Sequence, residues 1–274
     1  GLNYQQFLND DGLTMQLKGS YLDDNPKDFT PLIYGANNSL LDYRQKATQF
    51  TGGINFGYPL ILMQKKQLSV SGGLDYTDKR TDIRFRERTG DLVTAIGEQH
   101  QHVRYPALEF GVNGLRAFDK ASISSRLTVR QGLDALGADA APSAATDINF
   151  TQWKGNIEGS WIIGEKWRLG SALDGMWSDN NLPEPERVNY GAQRFGRGYV
   201  DGEATGDYGY GGQVELRYLH MREQSTWLST VQPYVLADTA RTWFNRPGLR
   251  HQRLASVAAG VTIGDTRHYS LSVE

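Results

Sequence analysis

The sequence predicts an all-β fold: a transmembrane antiparallel β-barrel of the outer-membrane type, with about twelve strands in this chain. Apolar and polar residues alternate over many segments, and several of these segments are about ten residues or longer. The connections between them alternate between short and long. The 274 residues contain no Pro/Ser-rich linker, so we expect one domain over residues 1–274.

Alternation is clearest near the start of the chain, where Leu13, Met15 and Leu17 alternate with polar residues, as expected of a strand with one apolar and one polar face. Soluble strands have about five or six residues, whereas a tilted strand crossing a bilayer needs about ten. We predict strands near residues 1–8, 13–22, 46–60, 66–80, 103–117, 120–131, 147–162, 166–178, 208–220, 226–242, 252–263 and 267–274.

The connections favour a membrane barrel over a soluble sandwich. We predict short turns at residues 9–12, 64–65, 118–120, 164–166, 222–225 and 264–267. Long loops are predicted at about residues 23–45, 81–102, 132–146, 179–207 and 243–251. Outer-membrane barrels have tight periplasmic turns and long outer loops, whereas a sandwich has no reason to alternate the two.

Tryptophans fit the same prediction. Near the predicted short turns lie Trp161, Trp167 and Trp227, and near the long loops lie Trp177 and Trp243. Two aromatic belts at the membrane interfaces would place them so, although ordinary core packing would also account for tryptophans.

Composition excludes several classes of protein. The net charge is −2, and the basic clusters at residues 65–66, 79–80 and 84–88 are mixed with acids, which is typical of solvated loops and gives no reason to expect a nucleic-acid partner. Cysteine is absent, so disulfides, thiolate catalysis and cysteine-ligated metals are excluded. The longest apolar run, residues 60–63, is far shorter than the roughly 20 residues of a membrane helix.

The most informative segment is a glycine-rich stretch in the predicted loop 179–207. Gly196 and Gly198 flank Arg197, and Tyr199 follows. Glycine permits positive φ and close approach of other chain segments, and arginine offers a rigid fork of donors that matches a carboxylate. We therefore expect this segment to fold back into a confined polar space.

These residues carry a resemblance to a known family. The stretch from Arg197 through Asp201 and Gly202 to the strand ending at Tyr218 resembles the signature loop of the Omp85 superfamily, and within it the two-partner-secretion transporters (TpsB type), the haemolysin-activating and adhesin-secreting barrels. A second motif of that family, an aromatic strand with an aspartate, resembles residues 232–240, which include Asp238. The resemblance extends over the whole chain.

The chain departs from the family pattern at several points. Gly196 stands where the family has a β-branched residue, and Ala240 where it has glycine. The family barrel has sixteen strands behind two periplasmic POTRA domains. The resemblance therefore implies that the natural protein continues beyond both ends of this chain, with the POTRA domains and the last strand outside it. An open sheet in lipid would leave edge groups unsatisfied, at several kcal/mol each.

The resemblance implies a pore in the Gram-negative outer membrane that moves a large unfolded exoprotein from the periplasm to the cell surface. The loop 179–207 would fold into the lumen, where Arg197 pairs with Asp238 and plugs or primes the pore. The resemblance implies a secreted exoprotein (TpsA-like) and outer-membrane lipid or lipopolysaccharide as partners, a monomer, and no cofactor or metal. The expected gating residues are Gly196, Arg197, Gly198, Tyr199, Asp201 and Gly202; those expected to line the lumen are Arg126, Arg130, Glu215 and Arg217.

Other functions remain open at this stage. An insertase that folds other barrels, or the barrel anchor of a patatin-like lipase, would share the arginine-bearing loop. An outer-membrane phospholipase would need a Ser/His pair, and none of the five histidines lies on a strand with a serine at an obvious catalytic spacing (His100, His102, His220, His251 and His268). The pair His100 and His102 could hold a metal on one strand face, but such pairs in polar loops are usually solvated. We expect no enzymatic activity.

Overall fold

A computed structural model describes residues 1–26, 28–34, 39–89, 92–192, 195–221, 229–265 and 269–273. It is almost entirely β-structure, and the described residues contain no helix long and apolar enough to span a membrane. The first nine strands are Leu2–Phe7 (β1), Thr14–Asp24 (β2), Thr30–Tyr34 (β3), Ser39–Met63 (β4), Lys66–Thr89 (β5), Leu92–Ala117 (β6), Ala121–Gly132 (β7), Asp139–Ala140 (β8) and Thr151–Ile163 (β9).

The remaining strands are Trp167–Trp177 (β10), Val188–Tyr190 (β11), Ala204–Gly206 (β12), Tyr208–Tyr218 (β13), His220–Met221 (β14), Thr230–Trp243 (β15), Gln252–Gly264 (β16) and Ser270–Val273 (β17). Single turns of 3₁₀ helix occur at Pro142–Ala144 and Glu184–Glu186. One large sheet has the order β1-β2-β4-β5-β6-β7-β9-β10-β13-β15-β16-β17, and β11 and β12 form a separate pair. Each of the registered strand pairs is antiparallel.

These twelve strands of the main path correspond one to one with the twelve predicted strands. The tight turns at residues 9–12 and 164–166 are present, with Gly12 and Gly164 at positive φ. Trp167 and Trp177 are the first and last residues of β10, and the aromatic belts stay a prediction. The predicted turn at 222–225, Trp227 and part of the turn at 264–267 lie outside the described residues.

Two predicted long loops are wrong in their secondary structure. Most of residues 23–45 and 81–102 lie in strands, because β4, β5 and β6 extend to 25, 24 and 26 residues. The charged cluster at 84–88 therefore lies in β5 and not in a solvated loop. Arg84 Nε lies 2.8 Å from Glu98 Oε1, and Arg86 Nη2 lies 3.1 Å from Asp42 Oδ2. Such cross-strand charge pairs support regular pairing in a polar ribbon.

The described chain divides into two compact units, so the expectation of a single domain stays a prediction. Unit 1 comprises residues 1–57, 71–109 and 130–150; unit 2 comprises residues 58–70, 110–129 and 151–274. In unit 1, Tyr105 and Phe150 are fully buried and pack edge to face at 5.6 Å between ring centroids.

In unit 2, the strands have one covered face and one exposed apolar face. Along β15, the residues from Tyr234 to Ala240 alternate between buried and exposed. On the exposed face, which we call the apolar face, Val235 is 53% exposed and Val257 of β16 is 82% exposed. On the opposite, covered face lie Asp238 and Leu236, both buried. This arrangement suits a sheet whose apolar face contacts lipid.

Candidate functional site

The segment 179–207 packs against the covered face of unit 2. It leaves the end of β10 and returns at the start of β13, and it contains one 3₁₀ turn and the β11–β12 pair. Leu182 and Ala204 are fully buried, Tyr190 is 1% exposed and Phe195 is 4% exposed. A connection with this much buried apolar surface has a defined position, which an exposed loop does not have.

The tip of this segment is held by the carboxylate of Asp238. The backbone N–H of Gly196 donates to Asp238 Oδ1 at 2.9 Å, and that of Arg197 donates to Oδ2 at 3.3 Å. From the neighbouring strand β16, the Ser256 hydroxyl donates to Oδ1 at 2.6 Å. We call Asp238, Ser256 and the two amides the tip clamp. Because Asp238 is only 6% exposed, these bonds replace the water that an ionised carboxylate would otherwise need.

Backbone conformation explains why the two amides converge. Phe195 has φ +55° and Gly196 has φ +106°, and the N–H of Tyr199 closes the turn on Gly196 O at 3.0 Å. Successive amides in such a conformation form a concave anion site. A Cβ at position 196 would lie 2.7 Å from Cδ1 of Leu254, so both the conformation and the available space require glycine here.

The structure places some of the predicted gating residues in the tip clamp and others outside it. Gly196 and Arg197 belong to the tip clamp, whereas Tyr199 donates through its hydroxyl to Ala255 O at 3.3 Å and is partly exposed. Asp201 and Gly202 form a turn beyond it, in which Asp201 is exposed and Gly202 is half-buried at φ +79°. The hydrogen bond between Arg197 and Asp238 runs through the arginine backbone. The predicted pairing of the Arg197 guanidinium with Asp238 stays a prediction.

A second carboxylate holds the base of the segment, and sequence reasoning gave it no role. Asp207 accepts the N–H of Leu182 at 3.0 Å and the N–H of Asn245 at 2.9 Å. Arg187 Nε lies 3.6 Å from Asp207 Oδ1. Burial lowers the pKa of the Arg187 guanidinium, and the charges of Asp207 and Glu184 oppose that shift. We call Asp207, Arg187 and the amides of Leu182 and Asn245 the base clamp.

Three of the predicted lumen residues lie on the covered face of unit 2. Arg126 donates to Asn113 Oδ1 at 2.6 Å and lines a polar cavity of about 710 Å³ together with Phe195. Arg217 Nη2 lies 2.8 Å from Glu215 Oε1, two residues earlier on the same face of β13. Glu215 also lines a second cavity of about 370 Å³. The covered face is therefore polar, and the two cavities leave part of it beside the loop tip open to solvent.

Arg130, in unit 1, is largely buried, and its predicted role in lining the lumen stays a prediction. Its side chain is 9% exposed, and Nη1 lies 2.7 Å from Asp75 Oδ2 and 3.3 Å from Glu109 Oε2. Two carboxylates therefore surround this guanidinium. An arginine that is buried and paired in this way contributes to the packing of unit 1, and little of its surface is open to a passing chain.

The two histidines of the pair 100/102 contact different carboxylates. His100 Nδ1 contacts Asp82 Oδ1 at 2.6 Å, and His102 Nε2 contacts Asp78 Oδ1 at 3.0 Å. These are separate contacts between neighbouring strands. Over the described ranges, no group of three or more histidine, aspartate or glutamate side chains is placed to hold a metal ion.

The sequence contained weak signals for the residues that were missed. Gly209 and Gly211 occupy alternate positions of β13, and glycine inside a strand often marks a close approach of another chain segment. In the structure Phe195 lies over Gly211. Ser256 is one of several small or polar residues on one face of β16, but nothing in its spacing pointed to Asp238.

Comparison with known proteins gives a family match. Residues 39–263 match the model of the haemolysin secretion/activation protein family ShlB/FhaC/HecB. A curated relative, the outer membrane transporter CdiB-2 of Burkholderia pseudomallei (strain 1026b), is 28% identical over 191 residues, which are 65% of this chain and 31% of that protein. The chain thus spans less than a third of this relative.

Two solved structures share the fold. CdiB from Escherichia coli matches with a TM-score of 0.62 at 14% identity, over 97% of this chain and 49% of that chain. CdiB from Acinetobacter baumannii matches with a TM-score of 0.58 at 16% identity, over 93% of this chain and 41% of that chain. These likenesses confirm the predicted fold class, an antiparallel β-sheet of the outer-membrane barrel type.

Proposed function

The chain belongs to the haemolysin secretion/activation protein family ShlB/FhaC/HecB, and from this membership we propose that it forms the pore of a two-partner secretion transporter. The family is one of outer-membrane transporters, so the predicted location in the Gram-negative outer membrane is confirmed, as is the prediction that the chain is not an enzyme. The proposed cargo is a large exoprotein that crosses the outer membrane unfolded, in the manner of a haemolysin, an adhesin or a contact-dependent toxin.

The observation that carries this proposal is the difference between the two faces of unit 2. Apolar side chains such as Val235 and Val257 are exposed on one face. Hydroxyl, amide and charged side chains, with the two polar cavities, occupy the other. A face of this kind offers an unfolded chain hydrogen-bonding groups and little apolar surface to bind it tightly, as a conduit requires.

Within this proposal, the segment 179–207 is the gate. The tip clamp holds it against the wall at rest, and passage of the cargo requires the tip to leave Asp238. The guanidinium of Arg197 would supply the charge that draws the tip back. In this arrangement the base clamp fixes the ends of the segment while the tip moves.

A disulfide across the tip clamp tests the gate. A Cβ at Gly198 would lie 3.5 Å from the Cβ of Ser256, which is within the range for a disulfide, and the chain has no cysteine of its own. In the full-length protein, the double variant Gly198→Cys/Ser256→Cys should stop exoprotein secretion under oxidising conditions and recover it with a reductant. The single variant Ser256→Cys is the control, since it loses the same hydroxyl. Undiminished secretion with the disulfide formed would refute the gate.

The arginine is tested separately. Arg197→Ala keeps the backbone N–H that binds Asp238 and removes the guanidinium. We expect this variant to insert into the outer membrane normally and to lose secretion, as measured by immunoblots of membrane and culture medium. Arg126→Ala, on the cavity wall and outside the clamp, is the matched control and should reduce secretion far less. Full secretion by Arg197→Ala would exclude a role for its charge.

A further inference from the structure

The ring of Phe195 makes a close contact with β13 that lies outside the tip clamp. Phe195 is 4% exposed, and a Cβ at Gly211 would lie 2.6 Å from its Cδ2 and 2.8 Å from its Cγ. Real Cβ atoms do not approach a ring carbon so closely, so the present position of the ring depends on the absence of a side chain at residue 211.

Groups around Gly211 complete the seat of this ring. In the antiparallel register, Gly211 pairs with Asp174 of β10 on one side and with the fully buried Ala240 of β15 on the other. The Tyr190 hydroxyl donates to Asp174 Oδ1 at 2.8 Å, and the Tyr190 ring meets Phe195 edge to face at 5.7 Å. We call Gly211 and these neighbours the ring seat.

We infer that Phe195 is a positioning residue of the gate, and that the ring seat sets how deeply the loop tip sits against the wall. Phe195 immediately precedes Gly196, whose amide binds Asp238. A displacement of the ring away from β13 therefore carries this amide away from its acceptor. The tip clamp supplies polar bonds with strict distances, and the ring seat holds the tip where those distances are met.

The ring also forms part of the wall of the 710 Å³ cavity, beside Gln213 and Arg126. Its position thus decides how much of the covered face is open next to the loop tip. That Phe195 serves a gate rests on the proposed function. The geometric claim, that Gly211 determines the tip position through Phe195, can be measured without secretion.

The experiment uses the double variant Gly198→Cys/Ser256→Cys of the full-length protein as a reporter of tip position, and the rate of disulfide formation under a mild oxidant as the readout. Adding Gly211→Ala should slow the reaction on the order of tenfold, since one methyl group is forced into a filled contact. In a Phe195→Ala background the same Gly211→Ala change should have no further effect, because the methyl group then occupies space the ring has left.

Gly212→Ala is the matched control on β13. Its Cβ would point to Leu173, a 60% exposed side chain that can move aside, so the disulfide rate should stay unchanged. An equal loss of rate with Phe195 present and in the Phe195→Ala background, no loss at all, or the same loss for Gly212→Ala would overturn the inference. If the disulfide rates follow the expected pattern while secretion is indifferent to the disulfide, the ring seat stands and the proposed gate fails.

Discussion

Segments 81–102 and 179–207 were both predicted as long loops, and they take up opposite structures. The first is largely β-strand, with bonds between side chains such as Arg84 and Glu98. The second has little regular structure, and two carboxylates bind backbone amides within it: Asp207 at its own end and Asp238 on β15. Side-chain pairing depends on residue type and leaves a trace in the sequence as alternating charge. Carboxylate-to-backbone bonding depends on conformation and leaves almost none.

The comparison also separates what each kind of bond can do. Exposed charge pairs on a ribbon each contribute little to the free energy of folding, because the strands are already joined by backbone hydrogen bonds. A buried carboxylate that binds two amides holds a segment with little regular structure, so its loss leaves buried N–H groups without an acceptor at that point. The second kind is therefore suited to a part that has to move.

The largest effect is expected from Asp238→Asn. The amide can accept only through one oxygen, so one donor among the Gly196 N–H, the Arg197 N–H and the Ser256 hydroxyl loses its acceptor. We expect a cost of about 2 kcal/mol, roughly a thirtyfold shift toward an undocked tip. Limited proteolysis of the folded protein near residue 199 measures it. Asp201→Asn, the same change at an exposed position of the segment, should have no effect; equal sensitivity of both variants would contradict the prediction.

An intermediate effect is expected from Asp42→Asn on β4. The Asp42 side chain is 2% exposed and binds Arg86 at 3.1 Å, with Arg88 at 3.7 Å. Since both arginines can still reach water, we expect about 1–2 kcal/mol rather than the larger cost of a fully buried pair. The urea midpoint of the protein in lipid vesicles measures this loss. Asp23→Asn, exposed on β2, should leave the midpoint in place, and a midpoint equally unchanged in Asp42→Asn would contradict the estimate.

The smallest effect is expected from Arg84→Ala. The Arg84 and Glu98 side chains are 53% and 48% exposed, so their pair contributes about 0.5 kcal/mol or less at low salt and still less at high salt. Urea unfolding at two salt concentrations checks the prediction. A loss as large as that of Asp42→Asn would contradict the small contribution expected of an exposed pair.

Strand positions could be predicted because a strand with one apolar and one polar face requires alternating apolar and polar residues, as in Leu13 to Leu17 or Val214 to Tyr218. The extension of β5 past residue 80 was not predicted, because only Ile83 and Phe85 alternate with Arg84 and Arg86 there, and the charged run 84–88 is typical of a solvated loop. The proximity of residues 196–197 to Asp238 could be proposed only through the family resemblance. Ser256 and Asp207 could not, because their contacts depend on backbone positions far apart in the chain.

The backbone character of the tip clamp has a consequence for position 197. The Arg197 group that donates to Asp238 is a main-chain N–H, which nineteen of the twenty coded residues possess and proline alone lacks. Docking and charge can therefore be separated at this position: alanine removes the guanidinium and keeps the N–H, whereas proline removes both, so the difference between the two variants isolates the N–H. A substitution scan at this residue would resolve two roles that in a side-chain-only contact would be inseparable.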